Sequence, residues 1–208
     1  MSGFAQFFVE GGPWMIPIAI ISAITLAVVI ERIYALCFVY NTDATKLYAK
    51  VSQALSNNQE AEAVSACDKL PKTALSHVLK AGIASAGRGE EAVASGIEVA
   101  TLEITPKVTK RTSSLGGLAS IATLLGLLGT VMGLIEAFRV VAEAPADQKS
   151  VLLTKAIAVA MNTTAFGLIV AIPATLVYLW LAGTTKRILD DIDVYSLKLE
   201  KLLAARRK

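Results

Sequence analysis

The sequence predicts an all-α integral membrane protein: three transmembrane helices, a helical insert between the first and second, and a helical tail. Three observations carry that expectation: an apolar excess, three long stretches without a charge, and helical spacing in the polar segments between them. Of 208 residues, 54% are hydrophobic and 18% charged, with a mean hydropathy of +0.59. Soluble domains sit near 45–50% apolar and about 25% charged. Lipid is therefore the expected solvent for much of the chain, which argues against disorder and against a lone soluble enzyme. The net charge of +3 is small and gathers beside the apolar segments, so nucleic-acid binding is not expected. Cys37 and Cys67 are too few for a disulfide framework.

The first charge-free stretch runs from Gly11 to Ile30, 20 residues, and stops at Glu31-Arg32 before a second apolar patch, Ile33 to Tyr40. It lacks a basic leader and a clean small-x-small cleavage site, so it reads as a retained helix. The second runs from Thr112 to Ile135, 24 residues, and the third from Ala156 to Thr185, 30 residues. A crossing needs roughly 20 apolar residues. The third stretch, about 45 Å long as a helix, must tilt or project beyond the bilayer. The expected organisation is residues 1–40 for the N-terminus and first span, 41–111 for the insert, 112–142 for the second span, 143–151 for a short loop, 152–185 for the third span and 186–208 for the tail.

Residues 41–111 carry nine Lys and Arg, and the tail after Thr185 carries seven. The first ten residues carry none. Basic residues mark the cytoplasmic side, so the insert and tail are expected inside and the N-terminus outside. Trp14, Tyr178 and Trp180 fall where interfacial aromatic belts sit.

The insert reads as short helices. Leu47, Val51, Ala54 and Leu55 share a face before the stop at Asn57-Asn58; Gln59 to Leu70 ends at Pro71; Thr73 to Ala86 ends at Gly87-Arg88-Gly89. A fourth helix runs from Glu90 toward the second span, with Pro106 as a kink point. In the tail, Ile188, Ile192, Tyr195, Leu199 and Leu202 form an a/d seam that must bury itself against the insert or a neighbouring subunit. His77 stands alone without ligand spacing, and Gly87-Arg88-Gly89 lacks the ending of a phosphate loop. No metal site and no catalysis by this chain are expected.

The informative residues lie in the spans. The second carries Gly126, Gly129, Thr130 and Gly133; the third presents Ala156, Ala160, Thr164, Gly167, Ala171 and Ala174 on one small face, with Asn162 and Thr163 beside it. Small residues let helix backbones approach. Pro173 frees the carbonyl of Ile169. Either the threonines bond back to their own i−4 carbonyls and only pack, or Thr130, Thr163, Thr164 and Asn162 line a narrow polar track that holds water or a small cation. Hydroxyls and amides do not take up a proton near neutral pH. No Asp, Glu, Lys or Arg lies in the span cores, so a titrating acid must come from another polypeptide. Glu136, Arg139 and Glu143 either charge an outer mouth or form an ordinary solvated helix end.

The run Gly126-Leu-Leu-Gly-Thr-Val-Met-Gly133, followed by Glu136 and Phe138, resembles the MotA/TolQ/ExbB proton channel family, as does the run from Ala158 to Ala174. Glu31-Arg32 at the end of the first span is similar too, and three spans with a compact insert resemble the ExbB/TolQ branch. The resemblance implies an inner-membrane, multi-pass homo-oligomeric ring, expected to be a pentamer, around the single helices of two ExbD/TolR-like subunits. It implies that the partner aspartate carries protons, with work delivered to a TonB-like or other envelope effector. It places Thr130 and Thr164 at the pore and Glu31 and Arg32 near the cytoplasmic end of the ring. Val159 departs from the pattern, standing where well-known ExbB and TolQ sequences carry a glutamate; Thr163-Thr164 resembles sodium-driven flagellar stators. Sodium at Thr130, Thr163 and Thr164 is therefore the alternative ion, and a passive scaffold or a solute-transporter subunit the alternative role.

Overall fold

A computed structural model describes residues 11–206. The first ten residues and Arg207-Lys208, which the orientation expectation uses, lie outside the described residues. Seven α-helices follow in order: α1 Met15–Tyr34, which continues as a π-helical turn Ala35–Tyr40; α2 Ala44–Ser56; α3 Glu60–Asp68; α4 Ala74–Ala84; α5 Glu90–Thr109; α6 Thr112–Glu143; and α7 Lys149–Ala205. Among the described residues there is no strand. Three helical stretches, containing α1, α6 and α7, are long and apolar enough to cross a membrane.

The chain divides into two compact units. The first comprises residues up to Ile30 with Ser113–Leu179, and the second Glu31–Thr112 with Trp180–Lys208. The first unit inverts the soluble pattern. Ile16, Ile20, Leu26, Leu124, Phe138, Met161, Ile169 and Leu176 are all exposed, while small residues (Ala122, Ala137, Ala160, Ala171 and Ala174) are buried. A surface of large apolar side chains over a seam of small ones suits helices solvated by lipid, which gain by close backbone contact. Met15 and Ile18 of α1 pack on Phe166 of α7, joined by Leu125 and Val170.

The second unit packs short helices and the end of α7 around a buried apolar core. Asp43 caps α2, its carboxylate accepting from the Lys46 N–H at 3.1 Å. Asn58, with φ +59, turns the chain toward α3, and Gly89 adopts φ +121 before α5, a conformation that favours glycine. Buried residues are Leu47, Val51 and Leu55 of α2, Ala63 and Cys67 of α3, Leu75, Val78, Leu79 and Ile83 of α4, and Val93, Ile97, Ala100, Ile104 and Val108 of α5. The tail of α7 lies against them. A Cβ on Gly82 would sit 2.9 Å from both Ile97 and Leu199, so α4, α5 and the tail converge there. The Tyr195 hydroxyl lies 2.8 Å from that of Thr45, and Arg206 donates to Asn58 Oδ1 at 2.7 Å.

One sequence expectation needs adjustment. Ile188, Ile192 and Leu199 of the tail seam are buried, but the fifth member is Leu203 rather than Leu202. A straight helix turns every 3.6 residues or so, and the stripe drifts from a strict a/d pattern. α5 continues past Pro106, and the break falls at Lys110, where φ −45 and ψ 133 leave the helix, and at Arg111, with φ +59.

Burial pushes the Cys67 thiol up to about 11, with the Asp68 carboxylate adding to the rise. The thiolate is the reactive species, and at pH 7.5 it is a minute fraction of such a thiol. In a Cys37→Ser variant, maleimide should label Cys67 at least ~100-fold more slowly than it labels a free thiol, with full labelling after unfolding in SDS; prompt labelling of the folded protein would contradict the burial.

Candidate ion pathway

The candidate site is built on glycines. Gly126 of α6 and Gly167 of α7 face one another: a Cβ on Gly126 would lie 3.2 Å from Gly167 Cα, and one on Gly167 would lie 2.7 Å from the Ala122 carbonyl oxygen and 3.0 Å from Gly126 Cα. Gly129 receives the Thr163 methyl, and Gly133 receives Ala160. The small face predicted on the third span is thus the face that meets the Gly126–Gly133 run of the second, within one chain.

That close crossing brings side-chain and backbone oxygens together. The hydroxyls of Thr130 and Thr164 touch each other across the two helices. Thr164 Oγ1 donates to the Gly126 carbonyl at 3.0 Å. Thr130 Oγ1 lies 3.2 Å from the same carbonyl and 3.3 Å from that of Ala160 on α7. A hydroxyl carries one proton and a carbonyl two lone pairs, so two protons are shared among more acceptors than they can fill at once. The arrangement has more than one hydrogen-bonding pattern. It supplies four uncharged oxygens: two hydroxyls and the carbonyls of residues 126 and 160.

Thr163 is not among them. Its hydroxyl donates back to Val159 at 3.0 Å, as a packing threonine does. Asn162, half-buried, is joined to the pair by no hydrogen bond among the described residues. Sequence reasoning anticipates self-bonding or a shared track for all three threonines; the helix crossing separates them. α7 runs through Pro173 without interruption. The Gly126 carbonyl, central to the cluster, is a backbone acceptor with no side-chain signature, and only the GxxxG spacing hints at it.

At the other end of the crossing a cavity of about 490 Å³ is lined by Trp14, Met132, Glu136, Lys155, Val159 and Thr163, among others. Glu136 also forms an i,i+3 pair with Arg139 at 3.7 Å, both well exposed. Glu136 therefore shares this cavity's wall with Thr163 and Val159, whereas Arg139 does not line it.

Glu31 and Arg32 sit in the second unit. Arg32 is 3% exposed, pairs with Glu31 at 3.0 Å and reaches the Val108 carbonyl at 3.4 Å. Glu31 also pairs with Arg111, beside the α5–α6 break. Both residues are engaged inside the chain, and Arg111 is the partner that sequence reasoning missed; its one signal is a basic pair directly before an apolar span. Glu31→Gln leaves the Arg32 guanidinium buried without its counter-charge. Glu31 is partly exposed, so the expected loss is about 2 kcal/mol, below the roughly 3–5 of a fully buried pair. Thermal or denaturant unfolding in detergent measures it; an unchanged midpoint would mean that the Glu31–Arg32 pair does not stabilise the fold.

A profile of the MotA/TolQ/ExbB proton channel family matches residues 70–194, a stretch holding both glycine and threonine runs. The chain belongs to the MotA/TolQ/ExbB proton channel family. Within it the chain is ExbB-like. It is 42% identical over 84 residues to biopolymer transport protein exbB1 of Vibrio cholerae, covering 38% of this chain and 37% of that protein. It is 38% identical over 93 residues to biopolymer transport protein ExbB of Aquifex aeolicus, covering 43% and 60%. It is 33% identical over 86 residues to the putative biopolymer transport protein ExbB-like 2 of Helicobacter pylori, covering 41% and 57%. The matches thus span between 37% and 60% of these relatives' own lengths. Membership accords with the three apolar helices and with a membrane location.

Proposed function

We propose that this chain is the ring-forming subunit of an ion-driven motor that energises biopolymer transport or another task at the cell envelope. Copies, expected to number five, assemble in the bacterial inner membrane with the N-terminus periplasmic and the C-terminus cytoplasmic. They surround the single helices of two ExbD/TolR-like subunits, whose membrane aspartate carries protons, and a TonB-like or other effector receives the work. The chain itself performs no catalysis. One observation carries the reading: the Thr130 and Thr164 hydroxyls meet the Gly126 and Ala160 carbonyls inside a charge-free part of the spans. Such oxygens hold water or a small cation but do not titrate near neutral pH, so a proton path past them needs an acid from another chain. The names of the relatives support the transport role.

Sodium is favoured by the same uncharged oxygens, which suit a hard cation. A passive scaffold is favoured by the Thr164 bond to Gly126, which ties α6 to α7 without any ion. Reconstitution separates the three. Liposomes holding this chain with a co-purified single-span partner should take up protons under an imposed potential, and liposomes holding this chain alone should not. Saturable flux through the chain alone would sink the borrowed-acid reading; flux that follows sodium instead of pH would give the ion to sodium; no flux with a partner bound would leave the scaffold.

A further inference from the structure

The cavity of about 490 Å³ lies wholly within the first unit, between the residues leading into α1, the end of α6 and the start of α7. In a chain that crosses three times, those three ends share one side of the membrane. Glu136 is the first charge after the charge-free run of α6, and Lys155 the last before that of α7. Both line the cavity, as do Gly129 and Thr163. Gly129 lies seven residues from Glu136 and Thr163 eight from Lys155, or about 10–12 Å along each helix. The cavity therefore starts where the charges stop and runs into charge-free helix. Met132 and Ile135 form part of its wall and are 39% and 57% exposed, so it opens on the surface of large apolar side chains that faces lipid.

We propose that this cavity holds one phospholipid with a phosphoethanolamine headgroup, its phosphate on Lys155, its ammonium on Glu136 and one acyl chain running between α6 and α7 toward Gly129 and Thr163. The other acyl chain stays on the lipid-facing surface. The site needs neither the ring nor the ion of the function proposed above.

Charge selects the occupant. Lys155 is exposed and has no ion-pair partner among the described residues. Glu136 has only Arg139, at 3.7 Å and one turn along the same helix, an exposed pair of the kind that contributes little. Although they line one cavity, Lys155 and Glu136 do not pair with each other. The rim thus offers one cation and one anion, held apart. A phosphoethanolamine group carries one charge of each sign on a short ethylene link and answers both. Its phosphate accepts from Lys155 and its ammonium donates to Glu136, both charge-assisted bonds of the stronger class. Phosphatidylglycerol has no cation for Glu136, and the quaternary ammonium of phosphatidylcholine has no N–H to donate. Water suits the interior poorly, since Met132, Ile135, Leu152 and Val159 give it no side-chain partner. Trp14 also lines the cavity, and its indole N–H, which has no hydrogen-bond partner among the described residues, suits the acceptor oxygens of a glycerol ester.

Tryptophan quenching by brominated lipid tests this. The chain has two tryptophans, and Trp180→Phe leaves Trp14, in the cavity wall, as the reporter. The full chain carrying that change is reconstituted in phosphatidylcholine vesicles, with rising mole fractions of one lipid brominated on its acyl chains. Brominated phosphatidylethanolamine should reach half-maximal quenching at a mole fraction about fivefold or more below that of brominated phosphatidylglycerol or phosphatidylcholine. Lys155→Gln and Glu136→Gln, both at exposed positions where folding is not at stake, should each cut that preference, and Glu136→Gln should also let phosphatidylglycerol compete. Val159→Phe, which adds bulk to the wall, should erase it. Trp14→Phe with Trp180 kept reports bulk lipid and should show no preference. Equal quenching of Trp14 by all three lipids would mean ordinary lipid solvation and overturn the site. A preference that survives the Lys155→Gln, Glu136→Gln double variant would overturn the headgroup assignment. No quenching by any lipid would give the cavity to protein, whether a second copy, a partner helix or residues 1–10 of the chain itself, and overturn the lipid.

Discussion

Valine at Gly167 is expected to open the α6–α7 crossing and lower the thermal midpoint in detergent more than any other single substitution in the first unit. Its Cβ would arrive 2.7 Å from the Ala122 carbonyl oxygen and 3.0 Å from Gly126 Cα. Both are backbone atoms of a regular helix, so neither can swing aside, and one helix must retreat. Overpacking of this kind costs about 1–3 kcal/mol. The retreat also breaks the Thr164 bond to Gly126, one turn away, worth about 1 kcal/mol more. A fall on the order of 5–10 °C follows at a few degrees per kcal/mol. Gly183→Ala is the matched control, because nothing lies within 4 Å of a Cβ there, and alanine favours the helix by about 1 kcal/mol. Equal losses from both variants would mean that the crossing is not the tight point.

Valine at Thr164 should do the reverse: leave assembly nearly intact and abolish work. The side chain keeps its shape and loses its hydroxyl, so the Gly126 carbonyl forfeits a cross-helix donor while keeping its α-helical partner. That costs about 1 kcal/mol of stability. Ion flux with the partner present is expected to fall at least ~10-fold, since a track that passes ions by exchanging oxygen ligands loses one of them. Thr164→Ser should restore most of the flux, and Thr130→Val should mimic the loss. Thr163→Val should have a far smaller effect, because its hydroxyl is already committed to Val159. Unchanged flux in Thr164→Val would assign these threonines to packing alone. The Thr163 comparison separates a hydroxyl that serves ions from one that merely resides in a span.

Much of this molecule is readable from residues taken in order. The three charge-free runs and the helical spacing of Leu47, Val51 and Leu55 are local properties, and each fixes an element without knowledge of any other. The same holds for the small face of the third span, since a 3.6-residue period is visible in any one helix. The partner of each face is not local. Thr163 and Thr164 are adjacent hydroxyls, and the sequence separates them only by the small face that Thr164 joins; a rotation of about 100° between them sends one hydroxyl to its own helix and the other to Gly126. The tail seam shifts from Leu202 to Leu203 because burial follows the surface it meets.

The amino-acid sequence by itself determined that this is a helical membrane protein with three spans, and that its span cores hold no Asp, Glu, Lys or Arg. Solvent preference and helical period are carried by each segment alone. Only the tertiary structure decided that Thr130 and Thr164 share the Gly126 carbonyl and that Glu31 binds Arg111 eighty residues away. A hydrogen bond depends on where a second helix crosses, and that crossing is set by the sum of small-residue contacts along both helices rather than by any one of them.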